Sequence, residues 1–296
     1  MKTIPVLSLK GGTGKSTVCA NLGLALRDSG NRVGFGDFDL SGANLPSALS
    51  IPEPFPYVGL DTAREKMLPV KINGYEIFSL VFRFGKAALL WEGGTQKIRA
   101  FGQEFEMRGT GRYQLVKQML ANVEFGELDY LLYDLPPQSG DEVLSLFEHI
   151  QNLWGAILVC QPTNLAVQDI ERTLNMVEVK KIPLLGMVGN MTQAICPQCQ
   201  HYFSPFLDVG VDLGGFCNAR GIPYLASIPL TPDKELINEA FCSLADKVVE
   251  LEPVKIWHKS FKAQLEGNIM KGIVRGLFDY SPRLKSGASR DSTQSL

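Results

Sequence analysis

Apolar residues in this chain fall into short unbroken runs, separated by stretches of helical periodicity. The runs at 4–9, 32–37, 128–134, 156–160, 184–189 and 224–228 are largely apolar at consecutive positions rather than at alternate ones. That pattern predicts strands covered on both faces. Between most of them lie segments with helical spacing, at 16–29, 111–123, 142–152, 166–179 and 234–249. The alternation predicts βαβ units, and so a mostly parallel sheet flanked by helices on both faces. Residues 51–108 break the rhythm. They are rich in Pro and Gly, and Ile72-Asn73-Gly74-Tyr75 predicts a hairpin turn. The stretch reads as an elaboration between two core strands. Beyond residue 250 an apolar stripe recurs every four residues, from Trp257 through Phe261, Leu265, Ile269 and Ile273 to Leu277. It predicts an amphipathic helix over 251–280, with a disordered polar tail at 281–296.

Composition supports a folded chain. Of 296 residues, 45% are hydrophobic and 20% charged, which is enough apolar material for a sizeable core and excludes a disordered or fibrous protein. The net charge of −2 argues against broad nucleic-acid binding. Charge is uneven, however. Residues 251–296 hold eight Lys/Arg and four Asp/Glu, a sum of +4 that leaves −6 for the rest. The terminal helix is therefore read either as packed on the domain or a dimer partner, or as a basic face for a membrane surface or a partner. The first residues lack a signal-peptide pattern and no apolar run is long enough to span a bilayer, so a cytoplasmic location is expected.

The strongest chemical signal is Ser8-Leu9-Lys10-Gly11-Gly12-Thr13-Gly14-Lys15-Ser16-Thr17, placed between a strand and a helix. Glycines let backbone N–H groups turn inward around phosphate oxygens, and the helix N-terminus adds its positive end. Gly11, Gly12, Thr13, Gly14, Lys15, Ser16 and Thr17 are the expected ATP phosphate ligands. Lys15 reaches the β- and γ-phosphates, and the Ser16 hydroxyl holds Mg²⁺. Position 9 is Leu where the strict phosphate-loop pattern has Gly. Downstream, Leu131-Leu132-Tyr133-Asp134 has the form of a hydrophobic strand ending in a Mg²⁺-binding aspartate, which makes Asp134 the second expected Mg²⁺ ligand.

The loop with Lys10 resembles the deviant Walker A motif of the dimeric P-loop ATPases that include MinD, ParA and the nitrogenase iron protein. That resemblance implies an ATP-dependent homodimer in which Lys10 crosses to the partner's nucleotide. It also makes Asp39 the candidate for orienting the attacking water, so Lys10, Lys15 and Asp39 form the expected catalytic set. Within this superfamily the chain is most similar to the Mrp/NBP35 (ApbC-like) iron–sulfur carriers. The similarity rests on Asp39-Leu40-Ser41-Gly42-Ala43-Asn44-Leu45-Pro46, on the run from Gly126 to Glu142, and on Gly189-Asn190-Met191 followed by Cys196-Pro197-Gln198-Cys199. It implies that Asn190 contacts the adenine edge and that Pro229, in Ser227-Ile228-Pro229-Leu230, belongs to the loop covering the base. Departures include Leu9, Gln138-Ser139 in place of Gly-Thr, Gly189 in place of Glu, and an insertion at 92–108.

Six cysteines in a chain of this length are no disulfide framework, and only Cys196 and Cys199 are close in sequence. Such a pair serves redox chemistry, zinc or an iron–sulfur cluster. Zinc wants four ligands, for which His201 and Cys217 are available. A [4Fe–4S] cluster also wants four, and two copies of the chain about a two-fold axis supply them. The Mrp resemblance implies the shared cluster, within a region over 191–222 of an ATPase domain spanning 1–250. Cys19, Cys160 and Cys242 are expected in the core. Two functions follow: a cluster carrier delivering to apo-proteins, or a positioning ATPase of the ParA/MinD type that acts on a surface or partner.

Overall fold

The computed structural model describes residues 1–8, 10–39, 44–56, 58–79, 81–82, 89–92, 95–100, 103–108, 116–117, 119–136, 146–196, 198–199, 201–206 and 211–256. The expected helix and tail beyond 256 lie outside them, as do Leu9, Pro197 and Gln138-Ser139.

The chain opens with β1 (Lys2–Leu7), α1 (Lys15–Asp28) and β2 (Val33–Asp37), followed by the short helix α2 (Leu45–Ala48). A small antiparallel pair, β3 (Gly59–Asp61) and β4 (Lys66–Leu68), precedes β5 (Val70–Ile72) and β6 (Tyr75–Ser79). A three-stranded antiparallel meander follows, β7 (Leu89–Glu92), β8 (Thr95–Ala100) and β9 (Gln103–Arg108). Then come β10 (Tyr130–Asp134), β11 (Ala156–Cys160), α3 (Asn164–Val179), β12 (Leu184–Ile195), β13 (Tyr202–Phe203), α4 (Leu213–Asn218), β14 (Tyr224–Leu230) and α5 (Lys234–Glu250). The central sheet runs β13-β12-β11-β1-β10-β2-β6-β5, with β14 also paired to β12. Only β13 and β5 are antiparallel to their neighbours.

Local chemistry accounts for these elements. In α1, Val18, Leu22, Ala25 and Leu26 repeat at helical spacing and are buried. Gly23 makes room for the Phe35 ring, whose Cε1 would lie 2.2 Å from an added Cβ. Helices α3 and α5 start on side-chain caps: Thr163 accepts from the Ala166 N–H, and Asp233 from those of Glu235 and Leu236. The β5–β6 turn has φ of 49° at Asn73 and 80° at Gly74, the left-handed pair that a tight hairpin requires.

Several expectations change. Residues 51–108 are more than an elaboration, because β6 is a buried core strand parallel to β2. Glu76 and Ser79 interrupt its apolar run, so hydropathy alone does not reveal it. The segment expected to be helical over 142–152 ends in a single 3-10 turn, Phe147–His149, before Ile150 turns extended. Residues 251–256 are not helical: Val254 and Leu184 exchange two backbone hydrogen bonds, of 2.7 and 2.9 Å, as an antiparallel bridge. Cys242 is exposed, since α5 turns Phe241, Leu244, Ala245 and Val248 inward instead. The absence of Glu at 189 has a steric reason. A Cβ there would meet the Tyr224 hydroxyl at 2.3 Å, and that hydroxyl is bonded to Ser227.

Candidate functional site

The carboxyl ends of the parallel strands converge on the loop after β1. This is where open α/β sheets present ligand sites. Gly12 and Gly14 have φ of 81° and 85°, and Gly14 caps α1 in the left-handed region. The loop therefore needs glycine at both positions. The Ser8 and Thr13 hydroxyls both donate to the Lys10 carbonyl, at 3.2 and 3.4 Å. Around the loop lies a cleft of about 440 Å³, lined by Ser8, residues 10–17, Asp39 and Asn44. Gly11, Ser16 and Thr17 sit in this lining as expected, and Lys10 is exposed on it.

Strand register assembles an acidic floor beneath the cleft. Asp134 pairs with Asp37 across β10–β2, and Asp37 with Ser79 across β2–β6. The Lys15 ammonium bonds Asp134 Oδ1 and lies 3.9 Å from Asp39 Oδ2. Burial opposes charge on Lys15, yet Asp134, Asp39 and Asp37 together hold its pKa above the usual value. Asp134 is fully buried, and its Oδ2 has no hydrogen-bond partner among the described residues. A buried carboxylate oxygen left open at a phosphate loop fits a divalent cation. With the Ser16 hydroxyl it makes a suitable Mg²⁺ donor set.

Sequence reasoning missed Asp37 and Ser79. Asp37 accepts from the Ser79 hydroxyl at 3.0 Å and from the Asp39 N–H at 3.3 Å. Burial, then the charge of Asp134, pushes its pKa well above the ordinary carboxylate range. Its position two residues before Asp39 at a strand end was a usable signal. Ser79 carries none, because only strand pairing brings it here.

Burial of Asp37 makes the stability of the fold depend on pH. The protonated form of Asp37 is favoured in the folded state. Its contribution is therefore fully present below the unfolded carboxylate pKa and is lost as pH climbs through the raised one. Asp37→Asn removes that loss while keeping the shape. We expect the nucleotide-free variant to melt higher than wild type at pH 8, by about two to four degrees per kcal/mol regained. The gap should close toward pH 4; a gap that stays constant with pH would count against a buried charge at Asp37.

Asn190 and Gln161 hold the loop from behind. The Asn190 amide donates to the Thr13 carbonyl at 2.8 Å, and Gln161 Nε2 donates to the Gly12 carbonyl at 3.1 Å. Pro229 lies half-buried on β14 and takes no part in the cleft lining.

Cys196 and Cys199 occupy a second place. Strand β12 ends at Ile195, and β13 returns antiparallel with Ala194 opposite Phe203. The Cys196 N–H donates to the His201 carbonyl at 3.0 Å, which closes the hairpin. Cys196 is half-buried and Cys199 exposed. The backbone N–H groups of Cys199 and Gln198 bond the Cys196 sulfur and lower its pKa, as suits a thiolate ligand. Cys217 does not join the pair. It is fully buried with its thiol 3.5 Å from the Met187 sulfur, and burial lifts its pKa to about 11. Among the described residues no three His, Cys, Asp or Glu side chains form a metal-binding group.

The profile of the NUBPL iron-transfer P-loop NTPases, in the ParA group, matches residues 1–106 and 99–261. The chain belongs to this family. It is an α/β P-loop NTPase, and the family's chemistry is nucleotide hydrolysis. Relatives agree. A cytosolic Fe-S cluster assembly factor NUBP2 homolog from Nematostella vectensis is 32% identical, over 82% of this chain and 84% of the relative. An iron-sulfur cluster carrier protein from Methanocaldococcus jannaschii is 33% identical, over 77% of this chain and 72% of its own. The nucleotide-binding protein from Archaeoglobus fulgidus in complex with ADP superposes with a TM-score of 0.58 at 26% identity, covering 87% and 94% of the two chains. Among the described residues of this NTPase no helix is long and apolar enough to cross a membrane.

Proposed function

We propose that this chain is an iron–sulfur cluster carrier. It binds and hydrolyses ATP with Mg²⁺, holds a [4Fe–4S] cluster between two copies of itself in the cytoplasm, and passes it to apo-proteins. The observation that carries the reading is the hairpin presenting Cys196 and Cys199, two thiols with no third metal ligand grouped beside them among the described residues. A two-fold axis supplies the other two thiolates. The names of the relatives point the same way. A positioning ATPase of the ParA/MinD type shares the fold but leaves the thiols without a task.

The residues around the cleft divide the nucleotide chemistry. Backbone N–H groups of residues 11–17 bind phosphate oxygens. Lys15, now on Asp134, moves to the β- and γ-phosphates, whose charge is greater. That frees Asp134 to hold Mg²⁺ with Ser16; the ion offsets charge on the phosphates. Asp39 lines the cleft and orients the attacking water, and Lys10 of each copy reaches the partner's nucleotide. Asn190 spends one amide hydrogen on Thr13, which leaves its Oδ1 to accept from the adenine amino group. Pro229 covers the base.

The test is anaerobic reconstitution with iron and sulfide, followed by iron analysis and a visible spectrum. About two iron atoms per chain, in a dimer, support the carrier. A colourless protein without iron overturns it, and one zinc per chain replaces it with a structural metal site.

A further inference from the structure

The phosphate loop and the cysteine hairpin are joined by one strand. Asn190 lies on β12, and Cys196, six residues on, directly follows the end of that strand. That stretch is irregular. Between Asn190 and Ala194, β12 spends three residues where β14 spends one. Met191 opens this bulge with φ of 56°, a conformation costly for a side chain of its size.

The Gln161 side chain bridges loop and bulge. Gln161, just beyond β11, directs Nε2 both to the Gly12 carbonyl at 3.1 Å and to the Met191 sulfur at 3.3 Å. Asn190 reaches the Thr13 carbonyl. Each of these carbonyls shares a rigid peptide plane with the N–H of the following residue, Thr13 and Gly14 respectively. Those N–H groups belong to the set that turns toward a bound phosphate. An anion that captures them also fixes the two carbonyls against Gln161 and Asn190.

We propose that Gln161 is a positioning residue that, with Asn190, couples nucleotide in the phosphate loop to the mobility of the Cys196–Cys199 hairpin. Phosphate tightens the loop carbonyls on the two amides, Gln161 tightens on Met191, and the bulge leading to the cysteines stiffens. Coupling is reciprocal, so a ligand on the thiols strengthens nucleotide binding by the same factor. The proposal rests on the carrier reading for its biological sense, but its test needs no cluster.

The test uses the full metal-free, reduced chain and limiting N-ethylmaleimide, with labelling resolved by peptide mass spectrometry. Saturating Mg-ADP is expected to slow labelling of Cys196 and Cys199 by about two- to ten-fold, the range of one or two net hydrogen bonds. Exposed Cys242 on α5 is the internal reference and should not change. Gln161→Met keeps the length and removes the donor, and Gln161→Glu places a carboxylate against the Gly12 carbonyl. Both should lose the response at nucleotide concentrations shown by calorimetry to saturate them. A full response in both variants overturns the proposal, as does wild-type labelling that ignores bound ADP. If either variant loosens the fold, seen as faster Cys242 labelling, the wild-type comparison still decides. Cluster loading without a labelling response would sink the coupling and leave the carrier intact. A labelling response without cluster loading would do the reverse.

Discussion

Lys15→Ala is expected to bring ATP hydrolysis to background, a loss of about three orders of magnitude, and to weaken the nucleotide-free fold as well. The first effect follows from removing the one buried ammonium at the loop, where phosphate charge must be offset. The second follows from what Lys15 does before nucleotide arrives. Its side chain is 5% exposed and is bonded to a fully buried Asp134, with Asp37 and Asp39 close by. Removing one member of a buried pair leaves an uncompensated charge and costs about 3–5 kcal/mol. Asp37, whose carboxyl burial already pushes well above the ordinary range, can relieve that cost by taking up a proton, so the instability should be greatest at high pH and smallest in mild acid. Adding Asp134→Asn to Lys15→Ala should recover most of the stability and none of the turnover. Thermal melts across pH, paired with phosphate-release assays, read both effects. A variant that hydrolyses ATP at the wild-type rate would refute the site. One that melts like wild type would show that the Lys15–Asp134 contact carries no stability.

The second large effect belongs to the hairpin. Cys196→Ser, Cys199→Ser or both should abolish iron retention after anaerobic reconstitution, from about two atoms per chain to none. Serine is a poor ligand for a cluster that wants thiolates, and one protomer has no third thiol positioned to compensate. Cys217 is fully buried with its thiol against the Met187 sulfur, and burial pushes the Cys160 thiol up to about 12. Neither is a substitute. Because Cys199 is exposed and Cys196 half-buried, the variants should melt within a few degrees of wild type, which separates ligand loss from unfolding. Retained iron in the double variant would move the cluster site elsewhere.

Legibility differed between elements for physical reasons. Strand β11 and helix α5 appear in the sequence within a residue of their bounds, because one is continuously apolar and the other carries a cap and a helical stripe. The hairpin at Asn73-Gly74 was legible because few residue pairs tolerate two left-handed conformations in succession. Strand β6 was hidden. Its Glu76 and Ser79 are buried by specific partners, the Gly126 N–H and the Asp37 carboxylate, rather than by apolarity. Strand β12 was read six residues short, since Asn190, Thr192 and Gln193 look like a loop until β14 and β13 pair with them.

The sequence by itself determined the phosphate loop, the acidic strand ends and the cysteine spacing. Each depends on residue types within one short segment, where backbone geometry follows from local chemistry. Only the tertiary structure decided that Asp37, Asp134 and Ser79 stand abreast, that Lys15 rests on Asp134, that Cys217 is sealed away from the pair, and that Gln161 bridges Gly12 and Met191. Those relations join residues 30 to 149 positions apart. They exist only where strand register and packing bring distant backbone into contact, and no local pattern in the chain encodes that.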